Sequence, residues 1–192
     1  MNALDSLTSR TSPKTLAEPG PDEAALAKIL TAACAAPDHG KLKPWRFLVI
    51  RGDARARLGD LLAETLKRRE PGVAAEAVER DRVKPLRSPV IVVVVSKIVD
   101  SPKIPKVEQL LSAGIAGQNI LLAAHALGFA GKWSTGPAAY DAEVKKGLGL
   151  SPDDGIVGFM YLGTPSGDAP IVRRPDYTSV TQEWTAPATV VA

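Results

Sequence analysis

A chain of 192 residues with 45% apolar and 23% charged side chains is long enough for one full hydrophobic core and too apolar for a disordered polymer. Its net charge is +3 with a sequence pI near 9.0, a mild preference for anions; its basic clusters lack interleaved aromatic side chains, which sets nucleic acid aside as a partner. The single cysteine, Cys34, excludes an internal disulfide, and the two distant histidines, His39 and His125, have no ligand spacing, so no metal site is expected and a reducing, cytoplasmic compartment fits best.

From the N-terminus, Asn2 to Ser9 reads as a short helix rather than a secretion leader. Pro19-Gly20-Pro21 breaks the chain, and Asp22 is placed to cap a helix over Glu23 to Ala36. Trp45 to Arg51 is the first predicted strand. Asp53 then caps a helix to about Arg69, with Leu58, Leu61, Leu62 and Leu66 on one side and charges on the other. After the Pro71-Gly72 turn a polar helix ends before Pro85. Val90 to Val95 is unbroken β-branched sequence, which predicts a central strand covered on both faces.

A long helix follows, from about Pro105 to Leu127, stopped by Gly128 as its C′ residue. From Leu110 to Gly131 there is no formally charged side chain, but Ser112, Gln118, Asn119, His125 and the mid-helix glycines favour burial in protein over lipid, so no membrane association is expected. Ala113, Gly114 and Gly117 would let a second helix approach closely, a partner subunit being one source of it. Phe129 to Ser134 is a third strand, Ala138 to Lys146 a short helix and Ile156 to Leu162 a fourth strand. Helices around a few buried strands predict an α+β, three-layer fold. Residues 1–166 read as one domain, and the tail, 167–192, as a segment either disordered or extended over a neighbouring subunit.

Two loops carry the candidate chemistry. Arg10-Thr11-Ser12-Pro13-Lys14 offers a guanidinium fork, an ammonium and two hydroxyls, a natural cradle for a phosphate monoester. Ala35 to Val49, A-A-P-D-H-G-K-L-K-P-W-R-F-L-V, is a polar, proline-bracketed junction between an apolar helix and a buried strand. Together they point to a small phosphorylated cofactor held between two loops. Taken singly the residues have plainer readings: Arg10 and Lys14 as solvated charges, His39 as a cap for the preceding helix, Cys34 as a small buried hydrophobe, His125 as a satisfied core side chain and Trp45 as a packing anchor. No G-x-S-x-G occurs and neither histidine has a clear serine or acidic partner, so nucleophilic catalysis lacks support.

R-x-S-x-K at Arg10 to Lys14, A-A-P-D-H at Ala35 to His39, K-P-W-R-F-L-V, the glycine-bearing helix Ser112 to Leu127, G-x-x-G-K-W-S-T-G at Gly128 to Gly136 and I-V-G-F-M-Y-L-G-T-P at Ile156 to Pro165 together resemble the nitroreductase family, closest to its small YdjA-like branch. The resemblance runs in order from Ala3 to Pro165. It implies a three-layer α+β fold with a central mixed or antiparallel sheet, in a domain-entwined homodimer with FMN at the subunit interface. The implied activity passes reducing equivalents from NADH or NADPH through FMN to a nitroaromatic, quinone or similar small-molecule acceptor. FMN then carries the chemistry, and no catalytic side chain is expected.

By position, the resemblance implies that Arg10, Thr11 and Ser12 grip the FMN phosphate and ribityl chain and that Lys14 sits near the flavin pyrimidine edge. Ala35 and His39, with Pro37 between them, contact the flavin from the other subunit. Trp133, Ser134 and Thr135 line the isoalloxazine, with Gly136 closing that stretch, and Trp133 reads equally as core. Ala123 to Gly128 falls beside a stretch associated with the nicotinamide nucleotide. Ser134 stands where the YdjA-like branch has arginine, and Arg173 or Arg174 is the candidate replacement. The alternative function is flavin binding or storage on the same fold, without reductase turnover.

Overall fold

The computed structural model describes residues 1–168 and 171–185. The chain opens with α1 (Ala3–Ser9), whose Asn2 cap and Asp5 form a reciprocal capping box. It continues through β1 (Leu16–Ala17), α2 (Glu23–Ala33), β2 (Trp45–Arg51), α3 (Ala54–Arg69), α4 (Ala75–Val83), β3 (Val90–Ser96), α5 (Lys106–Ala126), β4 (Ala130–Ser134), α6 (Ala142–Gly147) and β5 (Gly155–Pro165). Short 3-10 turns stand at His39–Lys41, Lys84–Arg87, Pro137–Tyr140 and Tyr177–Val180.

The sheet is antiparallel throughout and β5 is its hub. β3 pairs along one edge of β5, β4 pairs along the other, and β1 adds to its last two residues, while β2 pairs with the far side of β3. Alternate residues of β3 feed two separate cores. Ile91, Val93 and Val95 pack with Leu58 and Leu62 of α3 and Val144 of α6. Val90, Val92 and Val94 pack with Leu26 and Ile29 of α2 and with Ala116, Ile120 and Leu121 of α5. The expected three layers are therefore present, and cover on both faces accounts for the unbroken β-branched run. Trp45 is half-buried against the α2/α5 core, as an anchor should be.

Capping residues set most boundaries. The Asp22 carboxylate accepts from Ala25 N–H at 2.8 Å. At Gly128, with φ +87°, the end of α5 forms a Schellman motif: Phe129 N–H donates to Ala124 O at 2.9 Å and Gly128 N–H to His125 O at 3.0 Å. Asp53 does not cap α3, because it already has helical φ and ψ of −66° and −18°, whereas a capping residue needs extended backbone to swing its carboxylate over the next amides. The helix expected over Ala138 to Lys146 is split by Asp141, which is extended and caps α6 through Glu143 N–H at 2.8 Å. β1 was not expected; two residues have no periodicity, and this strand exists only through its pairing with β5.

Three burial expectations are corrected. α2 ends at Ala33 rather than Ala36; Cys34 stands one position past the inward-facing Ala33, about 100° around the helix, and is exposed. His125 is half-buried at the contact of α1 with α5, its Nε2 2.9 Å from Ser9 Oγ, and not in the core. Ala113 is fully buried within the chain and Gly117 faces the sheet: a Cβ on Gly117 would lie 2.9 Å from Met160 Cε and 3.2 Å from the Trp133 ring. Gly114, one residue from Ala113, has open space in front of it. Among the described residues no helix is long and apolar enough to cross a membrane.

Candidate functional site

The first cluster forms where α1 ends. Arg10 turns its guanidinium back onto its own loop, donating to Thr11 O at 3.2 Å and Ser12 Oγ at 3.0 Å. Arg174 reaches the same place from the tail, its Nε donating to Thr8 O at 3.0 Å and a terminal nitrogen to Arg10 O at 2.8 Å. Carbonyls at a helix C-terminus attract a cation, which explains the docking of Arg174 there. Burial, and then the neighbouring charge of Arg174, hold the Arg10 pKa below its ordinary value. Neither guanidinium has an ion-pair partner among the described residues. Two adjacent cations, one of them holding a hydroxyl, fit a phosphate monoester, which would offset their repulsion and take their free donors. Arg174, and not Arg173, is the tail arginine that reaches this loop.

A narrow cleft opens beyond it. Lys14 lines one wall with Pro13 and Leu16, opposite Lys132 and Ser134 of β4 and Tyr161 of β5. Strand alternation separates Lys132 and Ser134 from Trp133, which points to the other face of the sheet. The Trp133 indole N–H donates to Val157 O at 3.2 Å, and its ring fills the space left by Gly117 and Gly158. Its side chain thus packs, half-buried, against the core on the α5 side. Thr135 and Gly136 follow at the open end of β4; Gly136 has φ +80° and nothing within 4 Å of where a Cβ would stand.

The second loop is organised around one carboxylate. Asp38 accepts from Leu42 N–H at 3.1 Å and Lys43 N–H at 2.7 Å, while Lys41 and Lys43 adopt left-handed φ of 56° and 49°. Such conformations cost on the order of 1 kcal/mol each and are common at ligand sites. His39 Nδ1 lies 2.6 Å from Glu108 Oε2 in the first turn of α5, so the helix entrance, not the end of α2, holds the imidazole. Ala35 and Pro37 are exposed.

α5 keeps these regions apart. Glu108 holds His39 at one end, and His125 holds Ser9, next to Arg10, near the other. Those positions are seventeen residues apart, roughly 25 Å at about 1.5 Å per residue. Within one chain, therefore, the structure brings Arg10, Thr11, Ser12 and Arg174 together, sets Lys14 beside Ser134, and leaves Ala35, Pro37 and His39 remote. Sequence reasoning missed Glu108, Lys132 and Tyr161. Alternation around Ser134 could have found Lys132, whereas no local signal links Glu108 to His39. No group of three His, Cys, Asp or Glu side chains among the described residues is placed to hold a metal.

The chain resembles known proteins over most of its length. A model of the nitroreductase family matches residues 7–164. YdjA of Escherichia coli K12, provisionally named an NAD(P)H nitroreductase, is 40% identical over 165 residues that span 86% of this chain and 89% of YdjA. A protein of Haemophilus influenzae with the same provisional name is 34% identical, over 85% of this chain and 89% of that one. Among solved structures, a nitroreductase-like protein from Bacillus cereus matches with a TM-score of 0.82 at 23% identity and 96% coverage of each chain. A provisionally named nitroreductase from Desulfovibrio desulfuricans, solved in complex with FMN, matches with a TM-score of 0.74 at 25% identity, covering 97% of this chain and 99% of that one.

Proposed function

The chain belongs to the nitroreductase family, and from that premise we propose that it is an FMN-dependent NAD(P)H oxidoreductase, a cytoplasmic homodimer acting on nitroaromatic, quinone or similar small acceptors. The observation that carries the reading is the pair Arg10 and Arg174, which make no ion pair among the described residues and meet at the end of α1, Arg10 on Ser12 Oγ and Arg174 on the Arg10 carbonyl. FMN, when bound, supplies the hydride-accepting and hydride-donating chemistry.

The protein's part is positioning. Arg10, Ser12 and Arg174 would hold the phosphate, with Thr11 beside the ribityl chain. Lys14, on a cationic wall, would favour negative charge at the pyrimidine edge. Ser134, Thr135 and Gly136 would border the ring where β4 ends, and the Trp133 side chain would stiffen that strand from behind. Donor and acceptor would use one slot in turn.

The dimer is supported by two independent features. Glu108, which holds His39, and His125, which meets Ser9 next to Arg10, are roughly 25 Å apart along α5 in one chain, so a ligand touching both ends would take them from different copies. The outer face of α5 also exposes Val107 (59%), Leu111 (61%) and Ile115 (41%) around the open position of Gly114. Ile171, Tyr177 and Trp184 in the tail are exposed apolar side chains that a second copy would cover.

Incubation with FMN followed by desalting tests the reading. The wild-type protein should retain flavin absorbance, and Arg10→Met with Arg174→Met should weaken retention at least about 100-fold, the loss of two charge-assisted contacts. Colourless wild-type protein, or unchanged retention in the double variant, refutes it. Ser134 in place of arginine favours a second reading, flavin storage without turnover; flavin that stays oxidised on anaerobic mixing with NADH and with NADPH would select it.

A further inference from the structure

The loop from Asp38 to Lys43 owes its shape to contacts that leave the His39 ring out. Asp38 binds the Leu42 and Lys43 amides, so its carboxylate is already engaged. Gly40, at φ +76°, lies so near Ile104 that a Cβ there would collide with Ile104 Cδ1. Ile104 is held in turn by the buried Gln109, whose Nε2 donates to Ile104 O at 3.3 Å and to Val99 O at 2.9 Å. One residue earlier on α5, Glu108 makes a contact of another kind: its Oε2 lies 2.6 Å from Nδ1 of His39.

Gln109 braces backbone, whereas Glu108 holds only an imidazole. Both partners are open to solvent, His39 at 65% and Glu108 at 43%, so the pair contributes little to folding. Its effect falls on the ring. A carboxylate only accepts hydrogen bonds, so the nitrogen facing it, Nδ1, carries a proton. Nε2, on the far side of the ring, then faces outward, and among the described residues it has no hydrogen-bond partner. Held in this way, a neutral ring offers a lone pair at Nε2 and a charged ring offers a proton; an unheld ring would turn and exchange its two nitrogens.

We propose that Glu108 is a positioning residue: it locks His39 with Nδ1 protonated, so that Nε2 is presented to the flavin of a second copy. Glu108 itself touches no ligand and acts through the imidazole. The flavin as target rests on the reductase reading above; the fixing of the ring does not.

Long-range proton–nitrogen NMR of labelled histidines, on protein as purified and in alkaline buffer that leaves the imidazoles neutral, reads the ring directly. His39 should carry its proton on Nδ1 in the wild type and shift in Glu108→Ala toward the Nε2-protonated form that free imidazole prefers in water, with His125 unchanged as the internal reference. FMN affinity then reads the role. Glu108→Ala should weaken FMN binding about tenfold, His39→Ala by as much, and the two together no more than either alone, because one acts through the other. Glu108→Gln, whose amide oxygen also accepts from Nδ1–H, should bind FMN within about twofold of the wild type. Thermal unfolding of Glu108→Ala should match the wild type, since Asp38 and Gly40 already shape the loop.

A His39 tautomer indifferent to Glu108, wild-type FMN affinity in Glu108→Ala, losses that add in the double variant, or a glutamine variant as weak as the alanine one overturns the proposal. A clearly lower unfolding midpoint in Glu108→Ala also overturns it, by making the pair a brace for the loop. Wild-type protein that takes up no FMN defeats the reductase reading instead, and the spectra alone then decide whether Glu108 sets the ring.

Discussion

α3 and α5 do the same job on opposite faces of the sheet, yet their outer surfaces are made for different surroundings. α3 buries Leu58, Leu62 and Leu66 and turns charge outward, with Lys67 to Glu64 at 2.9 Å, Arg68 to Glu143 at 3.2 Å and Arg69 to Asp141 at 3.0 Å. The first two, solvent-exposed, contribute at most about 1 kcal/mol each and chiefly keep the surface wet. α5 buries Ala113, Ala116, Gly117, Ile120 and Ala124 and turns Val107, Leu111 and Ile115 outward. A helix facing water needs an amphipathic pattern; one apolar all round needs protein on both sides.

The largest expected effect lies on the inner side of α3. A Cβ on Gly59 would run into the Arg82 carbonyl oxygen, backbone that cannot rotate away, so Gly59→Ala should lower unfolding free energy by about 3 kcal/mol in denaturant titration. Survival of the variant at wild-type stability would mean that α3 and α4 are not in such close contact. The outer side of α5 supplies the next test. Leu111→Lys with Ile115→Lys should leave far-ultraviolet dichroism and cooperative unfolding intact while sedimentation shows a monomer that no longer retains FMN. A folded, flavin-loaded dimer after those substitutions would place the partner elsewhere.

The smallest effect has an informative sign. In an open helical position Ala is favoured over Gly by about 1 kcal/mol, so Gly114→Ala should raise the thermal midpoint of the monomeric Lys variant. In the otherwise wild-type chain the same methyl should weaken dimerisation, read by sedimentation at falling concentration. A gain in both backgrounds would show that no helix seats against Gly114.

These contrasts mark how far sequence carries. The long elements were legible because each combines periodicity with a stop signal, as Gly128 ends α5. Pattern could not tell Gly114 from Gly117: they sit three apart on one helix, and only the positions of Trp133 and Met160 decide which is filled. Asp53 was misread because capping depends on its own backbone angles, set by the turn at Gly52 (φ +59°) before it. In the candidate site, the Arg10 to Lys14 motif was readable as a contiguous string. Arg174 was named only together with Arg173, and Glu108 not at all, since each reaches its place through tertiary folding from a distant stretch of chain.

The separation of Arg10 from His39 along α5 has a genetic corollary. On the proposed pairing, every flavin would be cradled by unlike halves of two copies. A mixed pair in which one copy lacks Arg10 and the other lacks His39 would then own one wholly furnished cradle and one stripped of both, so two defective alleles would restore half strength to each mixed pair they form.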